Sequence, residues 1–199
     1  MRMKIKLPDP LLDGRISLEQ SLLKRRCIRN FSNEALTLQE VSQLLWAAQG
    51  ITSPKGYRTC PSAGALYPLE ILVITGNVLD MDSGAYRYTP KNHELTLTLE
   101  GDLRPALANA GLKQSSIQNA AINLVLSAVY DRTTWKYGQR GIQYVHMETG
   151  HAAQNVCLQA TALGLGTVMI GAFRDNNVKE ALNLSVDEEP LYILPVGKY

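Results

Sequence analysis

Apolar residues along this chain keep two rhythms, one of helices and one of strands. Leu38, Val41, Leu44, Leu45 and Ala48 recur at helical spacing, Thr37 and Glu40 form a capping box before them, and Gly50 ends the run. Ser17 and Gln20 share that capping-box spacing and predict an earlier helix start. The strongest helical pattern begins at Ile142, where Val145, Thr149, Ala152, Val156, Ala160 and Leu163 return every three or four residues up to Gly164. It predicts a long central helix.

Strands follow a different pattern. "LEILVITG" from Leu69 is a β-branched run suited to a strand buried on both faces, and "AYRYT" and "HELTLTLE" alternate around Pro90-Lys91-Asn92 as a hairpin does. "AAINLVLSAVY" predicts a central strand, "TVMIGAF" another after the long helix, and "PLYILPVG" the last. Asp102 is placed to cap a short helix over 103–110, and Asp175 one that ends near Leu182. Helices spaced irregularly among strands predict an α+β fold rather than repeated βαβ units. At 199 residues the chain reads as a single domain, 1–199, able to build one core without disulfides.

Composition narrows the partners. Twenty Lys and Arg stand against eighteen Asp and Glu, so no overall field invites nucleic acid or a membrane surface. Cys27, Cys60 and Cys157 are scattered and form no CxxC pair, which argues against a disulfide framework or a zinc site. "MRMKIKLPDPLLDG" lacks the apolar core of a signal peptide, and no run reaches the length of a membrane span. A cytoplasmic protein without a metal is expected.

Familiar catalytic motifs are missing. There is no GxxxxGK[ST], and "GLGTVMIG" has the wrong spacing for a dinucleotide fingerprint and precedes a strand. Ser62 in "PSAG" lacks a nucleophile elbow, and His146 and His151 sit too far around a helix from each other for an HExxH site. What stands out is local charge. "KRRCIRNFS" concentrates Lys24, Arg25, Arg26 and Arg29, and such a cluster suits one phosphate monoester; the alternative is a solvated helix end whose cations complement the dipole.

Three further strings bear on that choice: "CPSAGALYPLE" (60–70), "KYGQRGIQYVHMETGHAAQNVCLQATALGLG" (136–166) and "MIGAF" (169–173). With "RRCIRNFS" they resemble, in order and spacing from about residue 18 to the C-terminus, the nitroreductase superfamily of FMN-dependent oxidoreductases, in particular its SagB/ThcOx-like branch. The resemblance implies an α+β sandwich with a mainly antiparallel central sheet, built as an intertwined homodimer whose two chains line each FMN pocket.

It also implies roles. Arg25, Arg26, Cys27 and Arg29 match the segment that grips the FMN phosphate and ribityl chain. Pro61, Ser62, Ala63, Gly64 and Leu66 match the loop near the isoalloxazine ring, where small residues allow close backbone approach. Ile170, Gly171 and Ala172 match a strand end at the other flavin face; many nitroreductases have Glu where this chain has Gly171. Lys198 is the one basic residue near the C-terminus able to complete the phosphate site. Lys136 and Tyr137 match a pair that assists proton removal in azoline-oxidising relatives, although the same stretch could serve packing alone.

The function implied is hydride transfer between a reduced nicotinamide (NADH or NADPH) or organic donor and an organic acceptor, of nitro or quinone type, by a ping-pong mechanism. An azoline or peptide dehydrogenase and a non-enzymatic flavin-binding sensor are the alternatives. Neither nucleic acid nor a membrane is an expected partner.

Overall fold

The computed structural model describes residues 3–199. Its elements run β1 (Lys4–Lys6), α1 (Leu18–Lys24), α2 (Leu38–Gln49), β2 (Leu69–Thr75), β3 (Gly84–Thr89), β4 (Glu94–Glu100), α3 (Arg104–Ala110), α4 (Ser115–Asn119), β5 (Ile122–Val129), α5 (Asp131–Tyr137), α6 (Arg140–Ala162), β6 (Gly166–Thr167), α7 (Asp175–Leu182) and β7 (Glu188–Gly197). The strands form one seven-stranded sheet in the order β1-β4-β3-β2-β5-β7-β6, with every ladder antiparallel. This is the expected α+β sandwich.

β2 shows why its run is continuously apolar. Ile71 and Val73 face a core shared with Leu44, Leu45, Val145 and Ala152 of α2 and α6, while Leu72 and Ile74 face Leu107, Ile117, Val178 and Leu182 from α3, α4 and α7. Period-two alternation puts successive side chains on opposite faces, and helices cover both. β5 repeats this, with Leu124 and Leu126 on the α2–α6 side and Val125 on the other.

The helix starts agree with their capping signals to different degrees. Thr37 and Glu40 form the full capping box, whereas Ser17 accepts from the Gln20 N–H without the reciprocal bond. Asp102 accepts from the Arg104 N–H at 3.1 Å, but from one residue before the cap position, which Leu103 holds at the start of α3. Asp175, expected as a cap, is instead the first helical residue of α7, with Arg174 at the cap position.

Other differences have physical causes. "TVMIGAF" is not a strand: pairing stops at Thr167, and Ile170 returns for one bridge to Ile193. Val168 is buried by packing without a ladder partner and Ile170 by packing together with that single bridge, while Gly171 and Ala172 are exposed. β1, α4 and α5 carry no clear sequence signal, being short and weakly periodic. α1 ends at Lys24, so Arg25 and Arg29 are not neighbours on a helix face. Arg25 takes extended backbone, and Cys27 then bridges Thr167 at the sheet edge.

Candidate active site

The arginine segment lies along the β6 edge. The Ile28 N–H donates to the Thr167 carbonyl at 2.9 Å, and Gly166 packs so closely on Ile28 and Tyr199 that a Cβ there would clash. Arg26 turns back to donate to the Leu23 and Arg25 carbonyls at 3.0 and 2.8 Å, which caps α1. Arg25 reaches the Cys27 Sγ at 3.9 Å. Among the described residues none of Arg25, Arg26 and Arg29 pairs with a carboxylate. Beside them the buried Thr167 Oγ1 has no hydrogen-bond partner among the described residues. Unpaired cations next to an unspent hydroxyl suit an anionic, hydrogen-bonding ligand.

The other expected residues around this segment divide. Ile170 is buried through its bridge to Ile193, and the Ala172 carbonyl accepts from Gln114 Nε2 at 3.0 Å. Gly171 lies open beside Tyr192. Lys198 sits close, since its carbonyl accepts from the Ser32 N–H at 2.8 Å, but its ammonium leans toward Glu40, 3.8 Å away.

The second group is the loop from Arg58 to Tyr67. Ala63–Ala65 makes one 3₁₀ turn with Gly64 at φ +63°, a conformation that favours glycine. The turn is closed by the Tyr67 N–H donating to Ser62 Oγ at 2.9 Å. Pro61 and Gly64 are exposed, and Ser62, Ala63 and Leu66 half-buried. A Cβ on Gly64 would lie 2.8 Å from the Tyr137 hydroxyl and 3.1 Å from Lys136 Nζ. The loop and the Lys-Tyr pair, separate in sequence, are thus one site. Tyr137 packs edge-on against Tyr144 at 5.2 Å, whereas Lys136 is exposed, so the single chain does not desolvate its ammonium.

Beneath this loop lies a buried polar cluster that sequence reasoning did not place in the site. Glu148 of α6 is 3% exposed and Gln49 of α2 fully buried. Arg58 donates to Gln49 Oε1 at 2.8 Å and stacks on the Tyr67 ring at 4.1 Å. Burial pushes the Glu148 carboxyl up to about 7, against the opposing pull of Ser62, Arg58 and Gln49. Burial also pushes the Cys60 thiol up to about 12 and the Arg58 guanidinium down. A signal for Glu148 was present in the sequence. It stands three residues after Val145 and four before Ala152, inside the apolar stripe of α6.

No hydrogen bond or ion pair among the described residues joins the arginine segment to the loop. The two address different faces of α6: Arg25 and Cys27 act on Cys157, while Ser62 and Arg58 act on Glu148. Nine residues at about 100° each set those two positions about half a turn apart. Among the described residues there is no group of three or more His, Cys, Asp or Glu able to hold a metal, and no helix long and apolar enough to cross a membrane.

Known proteins show the same construction. The nitroreductase family model matches residues 22–198. A protein of Methanocaldococcus jannaschii that carries the name nitroreductase MJ1384 is 48% identical over 98% of this chain and 96% of its own length. The Escherichia coli microcin B17-processing protein McbC is 26% identical over 75% of this chain, which spans 57% of McbC. A crystal structure of a nitroreductase from Ralstonia eutropha superposes with a TM-score of 0.85 at 28% identity, covering 98% of this chain and 89% of the other. A chain of the E. coli microcin synthetase McbBCD complex does so at 0.76 and 25% identity, over 97% and 77%. Continuous likeness of sequence and fold from the arginine segment through β7 places the chain in the nitroreductase family of FMN-dependent oxidoreductases.

Proposed function

We propose that the chain, as one FMN-binding unit over 1–199, transfers two electrons between a reduced nicotinamide or organic donor and an organic acceptor in a ping-pong cycle. The observation that carries the reading is the meeting of the Pro61–Leu66 loop with Lys136 and Tyr137 at Gly64, where bare backbone lies directly against a phenol and a cation. The residues present fit FMN. Arg25, Arg26 and Arg29 would hold its phosphate, with Thr167 Oγ1 as a further hydrogen-bond partner, and the loop from Pro61 to Leu66 would lie along the ring. When bound, FMN would supply hydride acceptance and return.

The chain's own groups would do the rest. Backbone N–H groups of the Ser62–Leu66 turn orient a planar ligand without adding charge, and Tyr137 and Lys136 can move a proton at the substrate atom nearest Gly64. A homodimer is part of this reading. Its support is the placement of the two groups on different faces of α6, together with Leu18, Leu22 and Leu23 exposed on α1 and Leu11 and Leu12 ahead of it. A second chain would cover that apolar surface and bring its arginines to this chain's loop.

A second reading has its own observation. The Lys136–Tyr137 pair at the loop, with likeness to McbC, supports an azoline or peptide dehydrogenase that passes electrons from substrate to FMN and then to oxygen. Anaerobic titration of the purified protein separates the two. Flavin absorption that bleaches with NADH or NADPH supports the reductase; flavin that bleaches only with an azoline peptide supports the dehydrogenase. Flavin that no donor reduces points to a sensor, and protein that is colourless and takes up no added FMN overturns the flavin assignment.

A further inference from the structure

Glu148 is a buried acid that neither proposed reaction uses. Its Oε1 makes no hydrogen bond, and no Lys, Arg or His reaches it at ion-pair distance among the described residues. Arg58, the nearest cation, is occupied elsewhere: one nitrogen donates to Gln49 Oε1, its plane lies on Tyr67, and its Nε is unpaired. The Gln49 carboxamide approaches the carboxyl, yet its Nε2 completes no bond of ordinary length. An ionised carboxylate so placed is compensated less than its burial costs, whereas the neutral acid is tolerated.

The position of Glu148 links it to the site. The Cys60 thiol donates to its main-chain carbonyl at 3.5 Å, and the Ser62 hydroxyl faces its side chain. Ser62 in turn receives the Tyr67 N–H that closes the turn bearing Gly64, against which Lys136 and Tyr137 rest. A path of contacts therefore runs from the carboxyl through Ser62 to the seat of the proposed ring. Ionisation would draw the Arg58 guanidinium off Tyr67 and Gln49 toward the new charge, pulling on the loop that carries Arg58, Ser62 and Tyr67.

We propose that Glu148 is a positioning residue: as a neutral acid it holds the Arg58–Tyr67 loop against the Lys136–Tyr137 pair, and its ionisation releases that loop. The link to catalysis rests on the function proposed above; the link to the loop does not. Other titratable groups facing the cluster are Arg58 and Cys60 of the loop, Tyr67, Tyr88 of β3 and Glu70 of β2, the last held by Arg87 and Arg132. Burial moves the Tyr88 phenol up, and His93, bonded to it at 2.9 Å, down. Release near neutral pH therefore falls to Glu148.

Hydrogen exchange at the Tyr67 N–H in FMN-free protein tests this, read as a protection factor from about pH 6 to about pH 8. The wild type is expected to lose about five-fold or more in protection as the infrared band of the protonated acid disappears. Glu148→Gln keeps the shape without the charge, and should hold full protection throughout and lack the band. Ser62→Ala should be unprotected at every pH. Equal pH dependence in Glu148→Gln and wild type, or none in the wild type, overturns the proposal. FMN affinity by fluorescence quenching is expected to follow the same profiles. If protection behaves as described and no FMN binds, Glu148 still positions the loop and the flavin reading is what fails.

Discussion

Gly64 and Tyr137 touch across a gap that admits no side chain: a methyl group on Gly64 would stand 2.8 Å from the phenolic oxygen. Two constraints meet at this glycine, the contact and a φ of +63°. Gly56, at φ +81° with nothing within 4 Å, has only the second. Gly56→Ala is expected to cost about 1 kcal/mol of stability and leave turnover near wild type. Gly64→Ala should cost about as much in a thermal melt and also lower turnover by about ten-fold or more, because it displaces Tyr137 or the loop. Equal turnover in the two variants would separate this contact from function.

The arginines are expected to differ. Among the described residues Arg29 makes no side-chain hydrogen bond or ion pair, whereas Arg26 caps α1 through the Leu23 and Arg25 carbonyls. Arg29→Ala should weaken FMN retention through dialysis by about ten-fold with the melting temperature unchanged. Arg26→Ala should weaken both, losing about 1 kcal/mol with the cap. Undiminished flavin in both variants would remove the phosphate assignment.

Lys136 and Tyr137 should separate binding from chemistry. Lys136→Met and Tyr137→Phe are expected to keep FMN and lower turnover, by about 10² or more where proton transfer limits the rate. Stopped-flow reduction of the bound flavin is the direct readout. Unaltered reduction and reoxidation in both variants would leave the pair with a packing role.

Glu148 sets the sign of one pH effect on stability. Its value rises from 4.5 to about 7 in the fold, so the folded state keeps a proton that the unfolded chain has released. Stability is therefore lost as pH rises through that window, by about 3 kcal/mol at most. Denaturant titrations should show Glu148→Gln gaining on the wild type between about pH 5 and about pH 7. A constant difference between the two proteins over that range would contradict the shift.

His93 acts in the opposite direction. Its Nε2 faces the Ser42 hydroxyl at 2.7 Å and the Pro8 carbonyl at 3.0 Å, its Nδ1 faces the Tyr88 hydroxyl, and burial pushes it below the usual 6.5. The neutral ring is favoured in the fold, so its contribution is present above 6.5 and lost as pH falls below it. His93→Asn suits the φ of +46° at this turn and removes only the ring's bonds. It should lower stability at neutral pH by about 1–2 kcal/mol and flatten the decline on the acid side, as measured by melts at stepped pH.

Much of the fold was legible because its signals are local. α2 and α6 were marked by apolar spacing and by Thr37, Glu40, Gly50 and Gly164, and β2, β5 and β7 by runs that only a doubly covered sheet could bury. The "TVMIGAF" run misled for the converse reason. Val168 satisfies the same apolar pattern by packing and Ile170 by packing with one bridge, and pattern alone does not say how far a ladder extends. Likewise Arg25, Arg26 and Arg29 could be picked out by charge, but the end of α1 at Lys24 depends on Cys27 finding Thr167, a contact between residues far apart in the chain.

The layers, the family and the residue types available for a phosphate and a flat ring can all be read along the chain, since periodicity, capping and motif order are properties of neighbouring residues. That Gly64 meets Tyr137, that Arg26 spends part of its guanidinium on a helix end, and that Glu148 lies beneath the Ser62 turn with no ion pair among the described residues are outcomes of the three-dimensional fold alone. Burial and proximity across the fold set those outcomes. An acid in an apolar stripe is ordinary until its neighbours are known, and its charge is then settled by the solvent it loses and the partners it fails to gain.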